Sequence, residues 1–509
     1  MTNSFYNKAS YIVLSIIFII IICTYTDYGI SWDEPAQDTY GRLCYNYYKG
    51  WFTNNPDLSV FNYGNLYLYG PFFELITVII NKFSPLDRYD TRHLINAIVG
   101  FITILGVWRF AKLLKGADSS FFSIIFLSVF PRFYGDMFNN PKDIPFACGY
   151  IWSIYYILQS IDTAVPRTIL FKLGIILGLT MSIRSIGLIL LFYYLLITIY
   201  NFFKKGWSFI KSFIIVGLIS YAIMLIFWPF AQLSPLIHPF KSLFEMSKFQ
   251  WIGEVLYNGE YVFVTELPRY YLIHIFLITF PEYLIIILLS GIPIFFRALK
   301  QPNIISLKYI LILFAILFPI ALVFIKKPNL YDGMRHFLFI IPLLASLSGV
   351  IFTEIIQIFK KQKLYIKIFY FIISCYFIYH LSIMIRLHPY QYVYYNNFFG
   401  GLKAAVDKFE LDYWGTSYRE AVTMLKKYIV LRREDLKETE YKIKIPKNPF
   451  LGSYYFDSHL KETDNEKEAD FFISITRFND HNSVDGEIIL TVQRMGINLA
   501  YIKDRRVIK

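Results

Sequence analysis

The chain has 509 residues, of which 56% are hydrophobic, 20% aromatic and only 17% charged, against roughly a quarter charged in ordinary soluble domains. This excludes a soluble globular enzyme. Long apolar runs through the first 385 residues indicate a multi-spanning helical membrane protein. The net charge of +13 sits mostly at the ends of apolar runs, a pattern of membrane orientation and not of nucleic-acid binding. Cys23, Cys44, Cys148 and Cys375 have no spacing that suggests a disulfide framework or a zinc site.

Lys8 precedes the apolar run Tyr11–Tyr25, and no small-residue cleavage site follows it. This run is expected to be an uncleaved first span. Apolar runs predict eleven spans: 10–26, 93–114, 119–134, 144–161, 168–183, 186–203, 209–230, 271–296, 305–325, 337–358 and 364–385. Basic residues cluster at Arg109–Lys115, Arg167–Lys172, Lys204–Lys211, Arg297–Lys300 and Lys360–Lys363. With a cytoplasmic N-terminus, all of these fall on the cytoplasmic side, as the positive-inside rule requires. The same count puts 27–92, 135–143, 231–270, 326–336 and the C-terminal tail outside. Pro71–Phe83 is too short to span and contains Glu74, so it is read as an interfacial helix within a long first outer loop.

After Arg386 charge becomes frequent. Gly415–Val430 has helical periodicity, and Tyr441–Ile445, Phe471–Ile475 and Ile488–Val492 alternate like strands. Met495-Gly496 is expected to turn the last strand into Asn498–Lys503. The expected fold class is thus an all-α polytopic membrane protein of about 11 transmembrane helices, with the long loop 27–92 and a small α/β C-terminal domain outside the membrane. The expected domains are 1–385 and 386–509.

Five stretches carry candidate chemistry. Trp32-Asp33-Glu34-Pro35 places a carboxylate pair where the chain leaves the bilayer, costly there unless used for chemistry or ion handling. A general base must reach a hydroxyl and be ionised, which suits Asp33. A solvated Asx turn before Pro35 is the plainer alternative. Arg132–Phe146 brings Asp136, Lys142 and Asp143 to the same face. Two acids there suit an oxygen-ligand site for a divalent ion, Lys142 suits neutralising one of them, and a helix–helix turn broken at Pro141 is compatible with either. Arg184, between two apolar segments, suits a lipid phosphate or a snorkelling role. Lys326–His336, with Lys326, Lys327, Arg335 and His336, is a basic loop on the outer side, and an anionic ligand gives a reason for it. His388–Glu420 holds an aromatic belt and Asp412, an alternative cleft-facing acid.

These motifs in this order resemble the GT-C superfamily of polytopic glycosyltransferases, in the bacterial protein-mannosyltransferase-like branch that includes the lipid A aminoarabinose transferase. The resemblance rests on Trp32–Pro35, Asn139–Phe146, Arg184, Leu330–Pro342, His388–Asn396 and Leu411–Gly415, and runs from the first span to about residue 420. It implies a sugar donor on a polyprenyl phosphate, inverting transfer, and a glycan, lipid or protein acceptor at the outer face of the bacterial cytoplasmic membrane. It implies Asp33 as catalytic base with Glu34 supporting it or binding acceptor. Asp136 or Asp143 matches a second acidic site. Arg184 and Arg335 match the phosphate-facing cations, with His336 and Lys142 beside them. A Glu-His-His metal set is not evident, so a divalent ion stays open as a cofactor. A lipid-linked-sugar flippase would need ionisable groups at mid-membrane and repeated halves; a non-catalytic envelope assembly protein would tolerate loss of the outer acids.

Overall fold

All eleven apolar runs are helical in the computed structural model, which describes residues 3–161, 165–247, 251–299, 304–359, 362–432 and 440–506. The helices are α1 (Asn3–Thr24), α2 (Glu34–Thr53), α3 (Phe72–Asn81), α4 (Arg88–Leu114), α5 (Ala117–Ser128), α6 (Pro131–Asn139), α7 (Asp143–Gln159), α8 (Arg167–Met181), α9 (Leu188–Lys205), α10 (Ser208–Phe227), α11 (Pro229–Leu233), α12 (His238–Ser247), α13 (Tyr271–Thr279), α14 (Glu282–Leu299), α15 (Ile304–Lys326), α16 (Ile341–Phe359), α17 (Lys363–Leu387), α18 (Gly401–Ala405) and α19 (Tyr418–Leu431).

The expected count of about 11 spans is revised by length. Among the described residues, seven helices are long and apolar enough to cross a membrane, or nine when each of two bent pairs is one crossing. The helices α7 and α8 have 17 and 15 residues, roughly 25 and 22 Å, short of a hydrocarbon core of about 30 Å. The bent pairs are α5–α6, at 68°, and α13–α14, at 112°, with Pro131 and Pro281 at the breaks. Backbone groups freed inside an apolar bundle must find partners. At the sharper bend Asn396 Nδ2 donates to the carbonyls of Leu277 and Phe280, at 2.6 and 2.8 Å.

The first loop holds more structure than its sequence suggests. The twenty-residue α2 starts with Pro35 in its first turn, where the missing N–H costs nothing. It ends at Asn54, whose φ is 52°. Gly41 lets α2 lie against α3, for a Cβ there would meet the Glu74 carbonyl at 2.7 Å. The ten residues of α3 are too few to cross a membrane. Glu74 turns inward and pairs with the buried Arg92 of α4, which also donates to Thr77 at 3.0 Å and lies 3.5 Å from Asp38 of α2. Replacing Arg92 with Leu strands a buried carboxylate, a loss of about 3–5 kcal/mol. A markedly lower thermal midpoint in detergent micelles is expected; an unchanged midpoint would show that the cluster does not hold the loop.

The 231–270 segment contains α11, α12 and a hairpin of β1 (Glu254–Tyr257) and β2 (Glu260–Phe263). Beyond α17 the chain forms β3 (Tyr441–Lys444), β4 (Leu460–Glu462), β5 (Phe471–Ile475), β6 (Glu487–Arg494) and β7 (Ile497–Asp504). They make one mixed sheet in the order β4-β3-β5-β7-β6, with α19 packed on it. Met495 and Gly496, at φ 50° and 79°, form the tight β6–β7 turn that the sequence predicts. Of the basic clusters, Lys300, Lys360 and Lys361 lie outside the described residues.

Candidate active site

Asp33 is the N-cap of α2, and two cations from distant segments converge on it. Arg335 Nη1 donates to Asp33 Oδ2 at 3.0 Å, and Lys142 Nζ lies 3.6 Å from the same oxygen. Arg335 is 5% exposed whereas the Asp33 side chain is 24% exposed, so the acid reaches solvent and its cation does not. Burial pushes the Asp33 carboxyl up, but Lys142 and Arg335 overcome it and hold the group well below the usual carboxylate range.

Aromatic rings and a shared acid hold Arg335. Its guanidinium lies 4.8 Å from the Tyr331 ring centre and 4.6 Å from that of Trp414. Its Nη2 lies 3.1 Å from Asp332 Oδ2. The chain reverses at Asp332-Gly333, with φ of 54° and 68°, a conformation that glycine favours at the second position. His336 is next in sequence and stands edge-on to Tyr331, at 4.7 Å. Its Nδ1 is buried without a partner among the described residues.

The second acidic segment is held by Asn140. Asn140 Nδ2 donates to Asp136 Oδ1 at 3.1 Å and to Asp143 Oδ2 at 3.0 Å, while the Asp143 N–H returns a bond to Asn140 Oδ1 at 3.0 Å. Arg184, in the turn between α8 and α9, pairs with Asp143. Asp136 is buried and also accepts from Trp414 Nε1 at 3.0 Å. Trp414 therefore links Asp136 to Arg335. Glu34 is turned away into its own helix start: its Oε2 accepts the Ser31 N–H at 2.7 Å and lies 3.2 Å from His93 Nε2. That arrangement fixes the turn presenting Asp33. Asp412 does not face the cleft. It is buried and accepts from Tyr392 Oη, from Ser417 Oγ at 2.5 Å and from the Gly415 N–H at 2.8 Å, so its lone pairs serve the loop.

Two cavities open beside this cluster. One, of about 540 Å³, runs between α9 and α15 and is walled by apolar side chains such as Ile189, Phe192, Phe318 and Leu322; its head carries Tyr69, Arg184, Tyr331 and His336. The other, of about 600 Å³, is lined by Trp32, Asp33, Thr39, Arg42, Tyr63, Arg88 and Tyr89, with Asn448 and Phe450 from beyond α19. Lys142 and Arg184 lie over the Tyr69 ring, at 4.9 and 5.9 Å. Asp33 lines the polar, aromatic-lined chamber, and Lys142, 3.6 Å from it and over the Tyr69 ring, leads to the basic head of the apolar groove. Cations at the end of a greasy groove suit an anion with an apolar tail.

Asp33 is paired with Arg335 and Lys142, Asp143 with Arg184 and Asn140, and Asp136 Oδ1 with Trp414 and Asn140, while Asp136 Oδ2 is buried with no partner among the described residues. Among the described residues no three His, Cys, Asp or Glu side chains gather as a metal set.

Residues 79–231 match the family model described as dolichyl-phosphate-mannose-protein mannosyltransferase. No curated protein matches the chain. By fold it is similar to ArnT from Cupriavidus metallidurans in the apo state, with TM-score 0.54 and 11% identity over 98% of both chains. It is similar also to ArnT of that organism bound to undecaprenyl phosphate, with TM-score 0.52 and 11% identity over 97% of each chain. The archaeal oligosaccharyltransferase AglB from Archaeoglobus fulgidus, solved with an inhibitory peptide and a dolichol-phosphate, aligns over 92% of this chain and 69% of its own, with TM-score 0.50 and 12% identity. The local sequence match and the near full-length structural likeness agree on the fold: the chain is folded like ArnT.

Proposed function

We propose that the protein is an inverting glycosyltransferase that moves a sugar from a polyprenyl phosphate to an envelope glycan, glycolipid or protein. On this reading it works at the outer face of the bacterial cytoplasmic membrane, with a cytoplasmic N-terminus. Residues 1–385 form its catalytic membrane part, and 386–509 lie outside the membrane. The observation that carries the reading is Asp33 in the wall of a polar chamber, held by Arg335 and by Lys142, which lies over Tyr69 at the basic head of an apolar groove.

The donor's tail nearest the phosphate lies along Ile189, Phe192, Phe318 and Leu322, and its phosphate faces Arg184, Lys142, His336 and Arg335. The acceptor enters the polar chamber past Trp32 and Tyr63. Asp33 takes the proton of the acceptor hydroxyl as its oxygen bonds to the anomeric carbon. The bond from that carbon to the phosphate oxygen breaks on the opposite face, and its electron pair leaves with the phosphate. Charge develops on the leaving phosphate, where preorganised cations contribute most. Glu34 holds the turn bearing Asp33, and Asp136 and Asp143 hold Trp414 and Arg184.

The test is reconstitution in vesicles with polyprenyl-phosphate sugars and an envelope extract, following release of free polyprenyl phosphate by phosphorus NMR. Release that depends on the extract is expected; none with any donor would overturn the reading. In the same system Leu322→Trp fills the groove, and undecaprenyl phosphate should no longer raise the thermal midpoint of a protein that still folds. Full retention of that midpoint shift would remove the groove as the tail site.

A further inference from the structure

The turn after β5 carries a cation to the underside of the site. Arg477 is buried; its Nη1 donates to the Tyr413 carbonyl at 2.5 Å and its Nη2 to Asp332 Oδ1 at 2.6 Å. Its guanidinium also faces the Trp32 ring, at 5.7 Å. The other oxygen of Asp332 holds Arg335, which in turn holds Asp33. Charges therefore alternate along one line, from the C-terminal sheet to the Asp33 carboxylate in the chamber wall.

The backbone marks the same two points. Phe478 and Asn479, directly after Arg477, both have left-handed φ, 57° and 60°, and Asp332 has 54°. Side chains rarely adopt this conformation, and it persists where the surroundings over-determine it. Lys447 clamps the turn, 3.8 Å from the Phe478 ring centre and 3.2 Å from Asp480.

We infer that Arg477 is a positioning residue for Arg335, through which the C-terminal region completes the phosphate-binding end of the site. This rests on the reading of Arg335 as a phosphate-facing cation. The chemistry is one of competition. Asp332 divides its two oxygens between two arginines. Without Arg477 both oxygens are open to Arg335, and a carboxylate takes a guanidinium best through two parallel bonds. Arg335 is then drawn down onto Asp332, away from Asp33 and the groove head. The sequence gives little sign of this, because Arg477 lies in a polar stretch about 140 residues after its partner.

The experiment is a double-mutant cycle on the full-length protein in nanodiscs, with undecaprenyl phosphate as the probe and its dissociation constant as the readout. Arg477→Gln is expected to weaken binding about 10-fold, the usual scale for losing a charge-assisted bond. In an Arg335→Gln background it should weaken binding less than about 2-fold, since the residue it positions is already gone. An equal loss in both backgrounds would make Arg477 a merely structural residue, and no loss in either would remove it from the site; both results overturn the proposal. Should the glutamine variant not fold, Arg477→Lys keeps the charge but is a single-point donor, and the same cycle is run with it. Retained binding in Arg184→Gln and Lys142→Gln together would instead bring down the reading of the cation cluster itself, leaving the two failures distinguishable.

Discussion

Asp33→Asn should abolish transfer while the protein remains folded and still binds undecaprenyl phosphate. The substitution keeps the size of the side chain and its place at the start of α2, but an amide cannot take the hydroxyl proton. A positioned general base contributes about 10²–10⁴-fold, so the residual rate should fall at least that far. Reconstituted protein with the donor and the envelope extract gives the measurement, and a near-normal rate would remove Asp33 as the base. The pH dependence carries a second sign. Lys142 and Arg335 overcome burial and depress the folded-state pKa of Asp33, so its ionised form persists above that depressed value and is lost only as pH falls through it. Activity should therefore show no acid-side loss from Asp33 between roughly pH 7 and pH 5. A base held this firmly is weak at rest. On the proposed reading, an arriving phosphate that shares Lys142 and Arg335 relaxes their hold and raises the proton affinity of Asp33 when the hydroxyl needs it.

Arg335→Gln should lower kcat by about 10²–10³-fold, the cost of losing one preorganised donor at a developing charge, or roughly 2.7–4 kcal/mol. The side chain is buried between Tyr331 and Trp414, so its geometry is fixed before the donor arrives. The same change removes one of the two cations on Asp33, and the acid limb of the rate profile should move up, toward the ordinary carboxylate range. A lower rate with an unmoved acid limb would separate the two roles. An unchanged kcat and KM would eliminate both.

The fold was legible where apolar runs were long. The runs that became α1, α4, α9, α10 and α15–α17 gave helices near their predicted bounds, because a bilayer leaves an apolar segment little else to form. The first loop was read poorly. The sequence of α2 mixes Tyr, Asn, Lys and Gly, and its buried side sets Glu34, Gln37 and Asp38 beside Tyr40, Cys44 and Tyr47, which pack on Val60 and Leu75, so its hydrophobic periodicity is diluted. The candidate site was half visible. Asp33, Lys142, Arg184 and Arg335 stood out because charge at the ends of spans is expensive. Asn140, Trp414, Asp332 and Arg477 did not, since a tryptophan in an aromatic belt and an arginine in a polar tail look like their neighbours. Their importance comes from contacts across hundreds of residues, which no local pattern encodes. The two acids read as ion ligands, Asp136 and Asp143, turned out to share one asparagine amide.

On the proposed reading, the carboxylate in the chamber wall also governs waste. Water fills the polar chamber whenever it lacks an acceptor, and Asp33 is equally able to deprotonate water beside the anomeric carbon. Donor would then be spent without product. The aromatic lining from Trp32, Tyr63, Tyr89 and Phe450 gives a sugar ring surfaces that water cannot use, so an occupied chamber is a dry one. Fidelity in such an enzyme depends less on recognising the donor than on leaving no solvent in line with it.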